Sequence, residues 1–294
     1  MISIIIPTFN NLAYLKLCIN SLKKNSYYDN EILVHSNEGT DGTVEYLNAN
    51  RIKFTHSQNN VGLCKACNII SKKSFHKYIL YSHDDMYFLP DWDKILIEEV
   101  KKINTNKFYL SSIMINGDPK LTGHLNFHAG DKIENFDEKF LLNNFKNLHH
   151  RDFQGSTWAP HLVHKEIWDK VGGFSEEFSP GAGSDPDFNM KLWNEGVRIF
   201  KCLGNSKVYH FGSVTIRKKK DANFKKNQGS IANKIFILKW GYSIKFFKKH
   251  YLKSTHFHNE ILNNPKKNIN FFLDLFKDKI LFYYYKLFSS IKTK

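Results

Sequence analysis

Two neighbouring carboxylates, Asp84 and Asp85, follow the apolar run "KYILY" and a histidine, His83. Adjacent carboxylates at a strand end repel each other and lose hydration on burial. A divalent cation relieves both costs. Oxygen ligands of this kind suit Mg2+ or Mn2+, and few protein ligands are needed if a diphosphate supplies the rest. The competing reading is a solvated acidic turn. Further along, "GSDPDF" brings Asp185 and Asp187 ahead of a helical pattern, where Asp187 is placed to satisfy the free amides of a helix start. Asp41, in "TDGT", is placed to cap the helix after it. His210 lies in "VYHFGS", and a lone histidine in an aromatic strand is most often a satisfied core residue. Cys64 and Cys67 form a C-x-x-C with no second pair, so helical packing explains them better than zinc or redox chemistry. The cluster His149-His150-Arg151-Asp152 has no metal-site spacing.

These groups need a frame. "ISIIIPTFN" reads as a buried strand leaving its sheet into a loop. Leu12, Leu15, Ile19 and Leu22 then recur at helical spacing, with Asn10 or Asn11 able to cap the start. "EILVHS", "IKFTHS" and "KYILYS" read as the next strands, separated by helices over "TVEYLNAN" and "VGLCKACNIISKK". This alternation predicts an open, mostly parallel α/β sheet covered on both faces. Such sheets bind ligands outside the carboxyl ends of their strands, where Thr8, Asn10, Ser36, Asp84 and Asp85 all fall. A helix over "DKILIEEVKKI" leads to a strand over "FYLSSIMI". Residues 116–156 read as loops with short helices along one wall of a cleft. "WAPHLVHKEIWDKVGGF" reads as a strand and a helix ended by Gly172 and Gly173. "SPGAGSDPDF" is a Gly/Pro loop opening the helix "DFNMKLWNEG", and "VRIFKCL" and "KVYHFGS" are the expected final strands.

The 294 residues suit one large domain or a domain with an appendage, and a hydrophobic fraction of 41% allows a packed core. The formal charge of +15 is unevenly placed: residues 217–294 hold 19 Lys+Arg against 4 Asp+Glu, and residues 1–216 hold 24 of each. A neutral catalytic or binding domain followed by a basic, aromatic tail is the reading. No uncharged apolar run reaches the roughly 18 residues of a membrane-spanning helix. Met1 leads straight into "ISIIIPTFN", without a basic start or a cleavage site, and four cysteines make no disulfide framework. The expectation is a cytoplasmic chain.

Several stretches, in order, resemble family 2 glycosyltransferases, which have the GT-A (Rossmann-like) fold. They are "SIIIPTFNN", "EILVHSNEGTDGT", "NNVGLCKACNIISKKSFHKYILYSHDD", "VGGFSEEFSPGAGSDPDFNMKLWNEGVRIFKC" and "VYHFGS", together spanning about residues 1–213. The resemblance implies transfer of a sugar, with inversion, from a nucleotide diphosphate sugar to an acceptor hydroxyl on a glycan or lipid-linked saccharide. It implies Mn2+ or Mg2+ as cofactor. Pro7, Thr8 and Asn10 would line the nucleotide pocket. Ser36 stands where the family often has an aspartate for the base, and its hydroxyl can still donate or accept. Asn59 and Gly62 would shape the loop beside the nucleotide, and Lys65 would approach a phosphate. At the family's Asp-x-Asp position this chain has His83, Asp84 and Asp85. Asp85 would contact the metal, Asp84 the ribose or water shell, and His210 the metal or diphosphate, while His83 reads as packing. Ser184 and Asp185 stand at the Glu-Asp motif. Asp185 would take the acceptor's proton as the hydroxyl attacks, with Asp187 the alternative base. Trp158 would stack on the acceptor sugar, against core packing as the other reading.

The resulting division is a GT-A domain over 1–216 and a basic, aromatic, helical C-terminal extension over 217–294. Ile269, Phe272, Phe276, Ile280, Tyr283, Leu287 and Ile291 recur at helical spacing with Lys277, Lys279, Lys286 and Lys292 among or beyond them, and "IFILKWGYSIKFFKKHYLK" repeats the style. Residues 235–294 would make peripheral membrane contact, or pack on the catalytic domain or on a second subunit as a homo-oligomer. Arg217 and Lys218–Lys220 would lie within reach of a phosphate, or form a solvated charge run. The basic region resembles no nucleic-acid module, so no nucleic-acid partner is expected. Two rival readings are a nucleotidyltransferase and a catalytically silent glycan- or membrane-binding protein.

Overall fold

The structure is a computed structural model that describes residues 1–116, 124–212, 222–254 and 258–290, with backbone alone at 222–226 and 289–290. Arg217, Lys218–Lys220, Ile291, Lys292 and the expected division at 216/217 fall outside the described residues.

The N-terminal half follows the alternation in the sequence. Strand β1 (Ile2–Phe9) is followed by α1 (Leu12–Asn25), β2 (Glu31–Asn37), α2 (Thr43–Ala49), β3 (Lys53–Ser57), α3 (Leu63–Ser71) and β4 (Tyr78–Tyr81). Ile2, Ile4, Ile5 and Ile6 of β1 are fully buried. Helices cover both faces of such a strand, so its run has no polar alternation, and each buried isoleucine contributes about 1.5–3 kcal/mol. β1 pairs in parallel with β2 on one side and β4 on the other, and β2 pairs in parallel with β3. Asp41 accepts from the Leu12 amide at 2.8 Å and from the Thr43 hydroxyl at 2.6 Å, so one carboxylate tethers the starts of α1 and α2.

The second half is mixed. After β5 (Met86–Phe88), α4 (Trp92–Lys102), β6 (Phe108–Asn116), β7 (Leu125–Asn126), α5 (Glu138–Asn144) and β8 (Phe153–Gln154) come β9 (His161–His164), α6 (Lys165–Val171), α7 (Ser184–Asn194) and β10 (Ile199–His210). The sheet order is β3-β2-β1-β4-β9-β6-β10-β5, with β7 on β6 and β8 on β10. The expectation of a mostly parallel sheet holds on the β1 side. Beyond β4, however, β9 runs antiparallel to both β4 and β6, and β5 and β8 run antiparallel to β10. The two expected final strands are one, β10, with a register shift between Leu203 and Lys207. At this shift the chain passes close to residues 150–152: a side chain at Gly204 would collide with the His150 carbonyl, and Asp152 accepts from the Gly204 amide at 3.0 Å.

The C-terminal segment is α8 (Ala222–Trp240), a helical turn Ile244–Phe246 running into a π-helical turn Phe247–Tyr251, and α9 (Ile269–Ser290). Ala232, Phe236, Phe247, Leu252 and Leu262 belong to the same buried cluster as β1 and β4. The aromatic residues of 235–253 thus pack against the half of the chain that forms the sheet rather than facing outward.

Candidate functional site

Strand order reverses at β1: β2 and β3 lie to one side, and β4 with everything later to the other. Crevices beyond the carboxyl ends of strands form at such switch points. Thr8, opposite Ser36 in register, is the next-to-last residue of β1, and its hydroxyl donates to Asp84 Oδ2 at 2.6 Å. That contact joins β1 to the acidic turn after β4. Both carboxylates are buried, Asp84 at 7% and Asp85 at 4% exposure. Burial first, and then the adjacent Asp85 charge, raise Asp84 above the ordinary carboxylate range, while Thr8 and Asn11 pull it back.

β5 is the element that completes the acidic turn. It pairs antiparallel with the end of β10, setting His210 opposite Met86, and the Phe211 amide donates to the Asp85 carbonyl at 3.1 Å. His210 Nε2 then stands 3.4 Å from Asp85 Oδ1, and His83 Nδ1 stands 3.8 Å from the same oxygen. One donor atom from each of His83, Asp85 and His210 lies within 4.8 Å of the others. His210 Nε2 is buried and makes no hydrogen bond, so a polar atom is held toward the carboxylate without a partner. His83 is held neutral, lowered to about 4 mainly by burial, with Asp85 opposing. Neutral imidazoles and a carboxylate are the forms that ligate cations. These residues fit a divalent cation, and His83, which the sequence reading left to packing, is part of the set.

The expected nucleotide residues divide by exposure. Pro7, Thr8 and Ser36 are buried, and the Ser36 hydroxyl has no partner beneath Gly39, whose added Cβ would lie 2.8 Å from it. Asn10, at φ 44°, accepts from the Thr40 amide at 3.0 Å and donates to Glu38 at 3.2 Å. Asn59 and Lys65 are exposed on either side of Gly62. Gly62 has φ +82°, and a Cβ there would meet Ser179 Oγ at 2.8 Å. The start of α3 therefore abuts the loop leading to Asp185. Asn37 has no place in the sequence reading, yet its Oδ1 accepts from the Val61 amide at 2.9 Å and its amide nitrogen donates to the Thr8 carbonyl at 3.3 Å. A single asparagine at a strand end gave no signal of this bridge.

The two aspartates of α7 differ sharply. Asp185 is partly exposed as a residue, but its Oδ1 is shielded and has no hydrogen-bond partner. Burial pushes its carboxyl up to about 7, with Lys248 pulling partly back. Asp187 is fully buried and committed: it accepts from Ser175 Oγ at 2.5 Å and Trp240 Nε1 at 2.8 Å, and pairs with Lys239 at 3.0 Å. It bonds to α8 rather than to orphan amides. Trp158 is half-buried, donates to the Ser112 carbonyl at 3.3 Å and packs edge-on against His124. Cys64 and Cys67 are buried in α3, and burial pushes the Cys64 thiol up to about 12, as their packing role requires.

The sequence profile of the family described as Glycosyl transferase family 2 matches residues 3–166. A chondroitin synthase from Escherichia coli is 25% identical over 241 residues, which is 71% of this chain but 34% of that protein. This chain thus spans about a third of that relative's length. Among solved structures, S. aureus TarS 1-349 in complex with UDP superposes with a TM-score of 0.52 at 18% identity, covering 71% of this chain and 59% of that one. GalNAc-T7 with UDP, GalNAc and Mn2+ gives a TM-score of 0.55 at 14% identity, covering 71% and 43%. At these identities the structures establish the GT-A fold.

Proposed function

The chain belongs to glycosyl transferase family 2, and from that premise we propose that it moves a sugar from a nucleotide diphosphate sugar to an acceptor hydroxyl, with inversion, at the carboxyl ends of β1, β2 and β4. The carrying observation is that three strand ends meet at the acidic turn: Thr8 bonds Asp84, and half-buried His83 and His210 close on buried Asp85. His83, Asp85 and His210 hold the cation. Bound there, a divalent cation offsets charge on the departing diphosphate. A donor set with two imidazoles favours Mn2+ over Mg2+, which prefers oxygen and water. Thr8 holds Asp84 toward the ribose side, and Pro7, Asn10, Ser36, Asn59, Gly62 and Lys65 surround the nucleotide. UDP, present in solved structures of this fold, is the first nucleotide to try.

Asp185 receives the acceptor's proton. Its unpartnered, shielded oxygen and raised proton affinity suit a group that gains a proton during attack. The three existing partners of Asp187 favour Asp185 as the base and tie the start of α7 to α8. Trp158, half-buried, borders the acceptor side. The acceptor is a glycan or lipid-linked saccharide of a bacterial surface, a reading supported by the relative named chondroitin synthase.

The test is release of nucleoside diphosphate from a panel of sugar nucleotides with Mn2+, alongside Mn2+ binding by electron paramagnetic resonance. Wild type should hydrolyse one donor slowly without acceptor. Asp85→Asn and His210→Ala should each weaken Mn2+ binding by at least about tenfold, since even partners behind the ligands contribute that much at metal sites. Unchanged Mn2+ affinity in both variants sinks the proposed centre, and no turnover of any donor sinks the reaction.

A further inference from the structure

The outward face of α9 has no part in this chemistry. At 3.6 residues per turn, Phe271, Asp274 and Asp278 share the face turned to the protein. Phe271 packs on Phe246 and His250, with ring centroids 5.0 and 5.2 Å away. Asp274 accepts from Lys249 Nζ at 2.6 Å and lies 2.9 Å from His250 Nε2. Asp278 accepts from the Ser243 amide at 2.7 Å and its hydroxyl at 2.8 Å. The opposite face carries Ile269, Phe272, Phe276, Ile280, Tyr283 and Leu287 in one stripe, each between 53% and 74% exposed. Lys277 flanks the stripe on one side, and Lys279 and Lys286 on the other. Both acids of α9 are thus spent inward, and its outward face is apolar at the centre and cationic at the edges.

We propose that α9 lies in the interface of an anionic lipid bilayer, with the stripe in the acyl boundary and the lysines among the headgroups. An exposed contiguous apolar face marks an interaction site, and charge complementarity selects the partner. A stripe edged by lysines on both sides matches a surface that is apolar below and negative above. A second copy meeting it about a two-fold axis would bring like charges together. Among the described residues no helix is long and apolar enough to cross a membrane, so α9, about 33 Å long at 1.5 Å per residue, lies in the plane. Its inward contacts hold the turns from Ser243 to Tyr251, and Tyr251 packs on Trp193 of α7, with ring centroids 5.3 Å apart. Docking would therefore fix how the helix bearing Asp185 faces the bilayer. The lipid-linked acceptor is part of the proposed function, whereas the docking stands independently of it.

Flotation of the full chain with vesicles tests this, without nucleotide. The chain should float with phosphatidylcholine vesicles containing phosphatidylglycerol, not with phosphatidylcholine alone, and salt should weaken binding. Phe276→Ser with Ile280→Ser should reduce binding at least about tenfold, since each side chain is worth that much on burial. Lys277→Glu should also weaken it, and both variants should keep the wild-type melting temperature because these side chains are exposed. No flotation with anionic vesicles, or flotation indifferent to the double substitution, overturns the proposal. So does a dimer by light scattering that the double substitution abolishes in a chain that ignores vesicles. Because no sugar nucleotide is present, a failure to hydrolyse donor counts against the transfer reaction alone.

Discussion

As the proposed base, Asp185 meets two opposing demands. A base near neutrality needs a proton affinity well above that of a solvated carboxylate, and burial supplies it by raising Asp185 to about 7. The same burial costs stability. The folded state keeps a proton that the unfolded chain sheds near 3.8, so this contribution is fully present below that pH and is lost as pH rises through about 7. Two outcomes follow for Asp185→Asn. Its kcat should fall by about 10²–10⁴-fold, with donor affinity kept. Its melting temperature should equal or exceed that of wild type at pH 8, with the difference shrinking toward pH 4. Wild-type kcat should climb with pH up to about 7 as Asp185 loses its proton. A lower melting temperature at pH 8, or a flat pH profile, contradicts this assignment. At this scale the sequence was informative where charge is expensive: paired acids after an apolar run pointed to a cation, and one of them, Asp85, lies with His83 and His210. It assigned His83 to packing, because one imidazole beside two acids carries no ligand spacing of its own. The approach of His210 to Asp85 comes from strand pairing, which spacing along the chain does not encode.

At the scale of elements, α7 is oriented by its second aspartate rather than its first. Asp187 joins Ser175 ahead of α7 to Lys239 and Trp240 at the end of α8. Asp187→Ala leaves the Trp240 indole and the Ser175 hydroxyl without their acceptor and takes from Lys239 one of its two carboxylate partners, Glu177 being the other. The expected loss is about 2 kcal/mol by denaturant unfolding, chiefly for the stranded indole N–H. Mn2+ binding should persist at low temperature, because the cation residues lie on other elements. A variant as stable as wild type would show that these bonds are dispensable. Helices and long strands were legible because their periods repeat several times: α1, α4 and β6 match their patterns. β5 and β8, with three and two residues, have no period to read. The reversal of β9 is also hidden, since a buried strand shows the same apolar run whichever way it points.

Across the whole molecule, the neutral first 216 residues and the +15 C-terminal quarter are a division of charge that the core does not follow. Basic, aromatic composition alone cannot tell a helix that packs from one that docks; burial separates α8 from α9. A chain ended after residue 268 should melt at a lower temperature, having lost the acceptors for Ser243 and Lys249, yet still bind Mn2+ by electron paramagnetic resonance. Loss of Mn2+ binding would mean that α9 supports the sheet itself. The sheet order has a consequence for biosynthesis as well. Asp85 leaves the ribosome early, but its partner His210 is carried by the final strand, and the three residues of β5 have no other mate among the described strands. Long-range pairing of this kind waits until the distant segment has emerged. The nascent acidic turn therefore stays half-built until β10 has emerged, and the proposed cation site is completed only when that strand closes on β5.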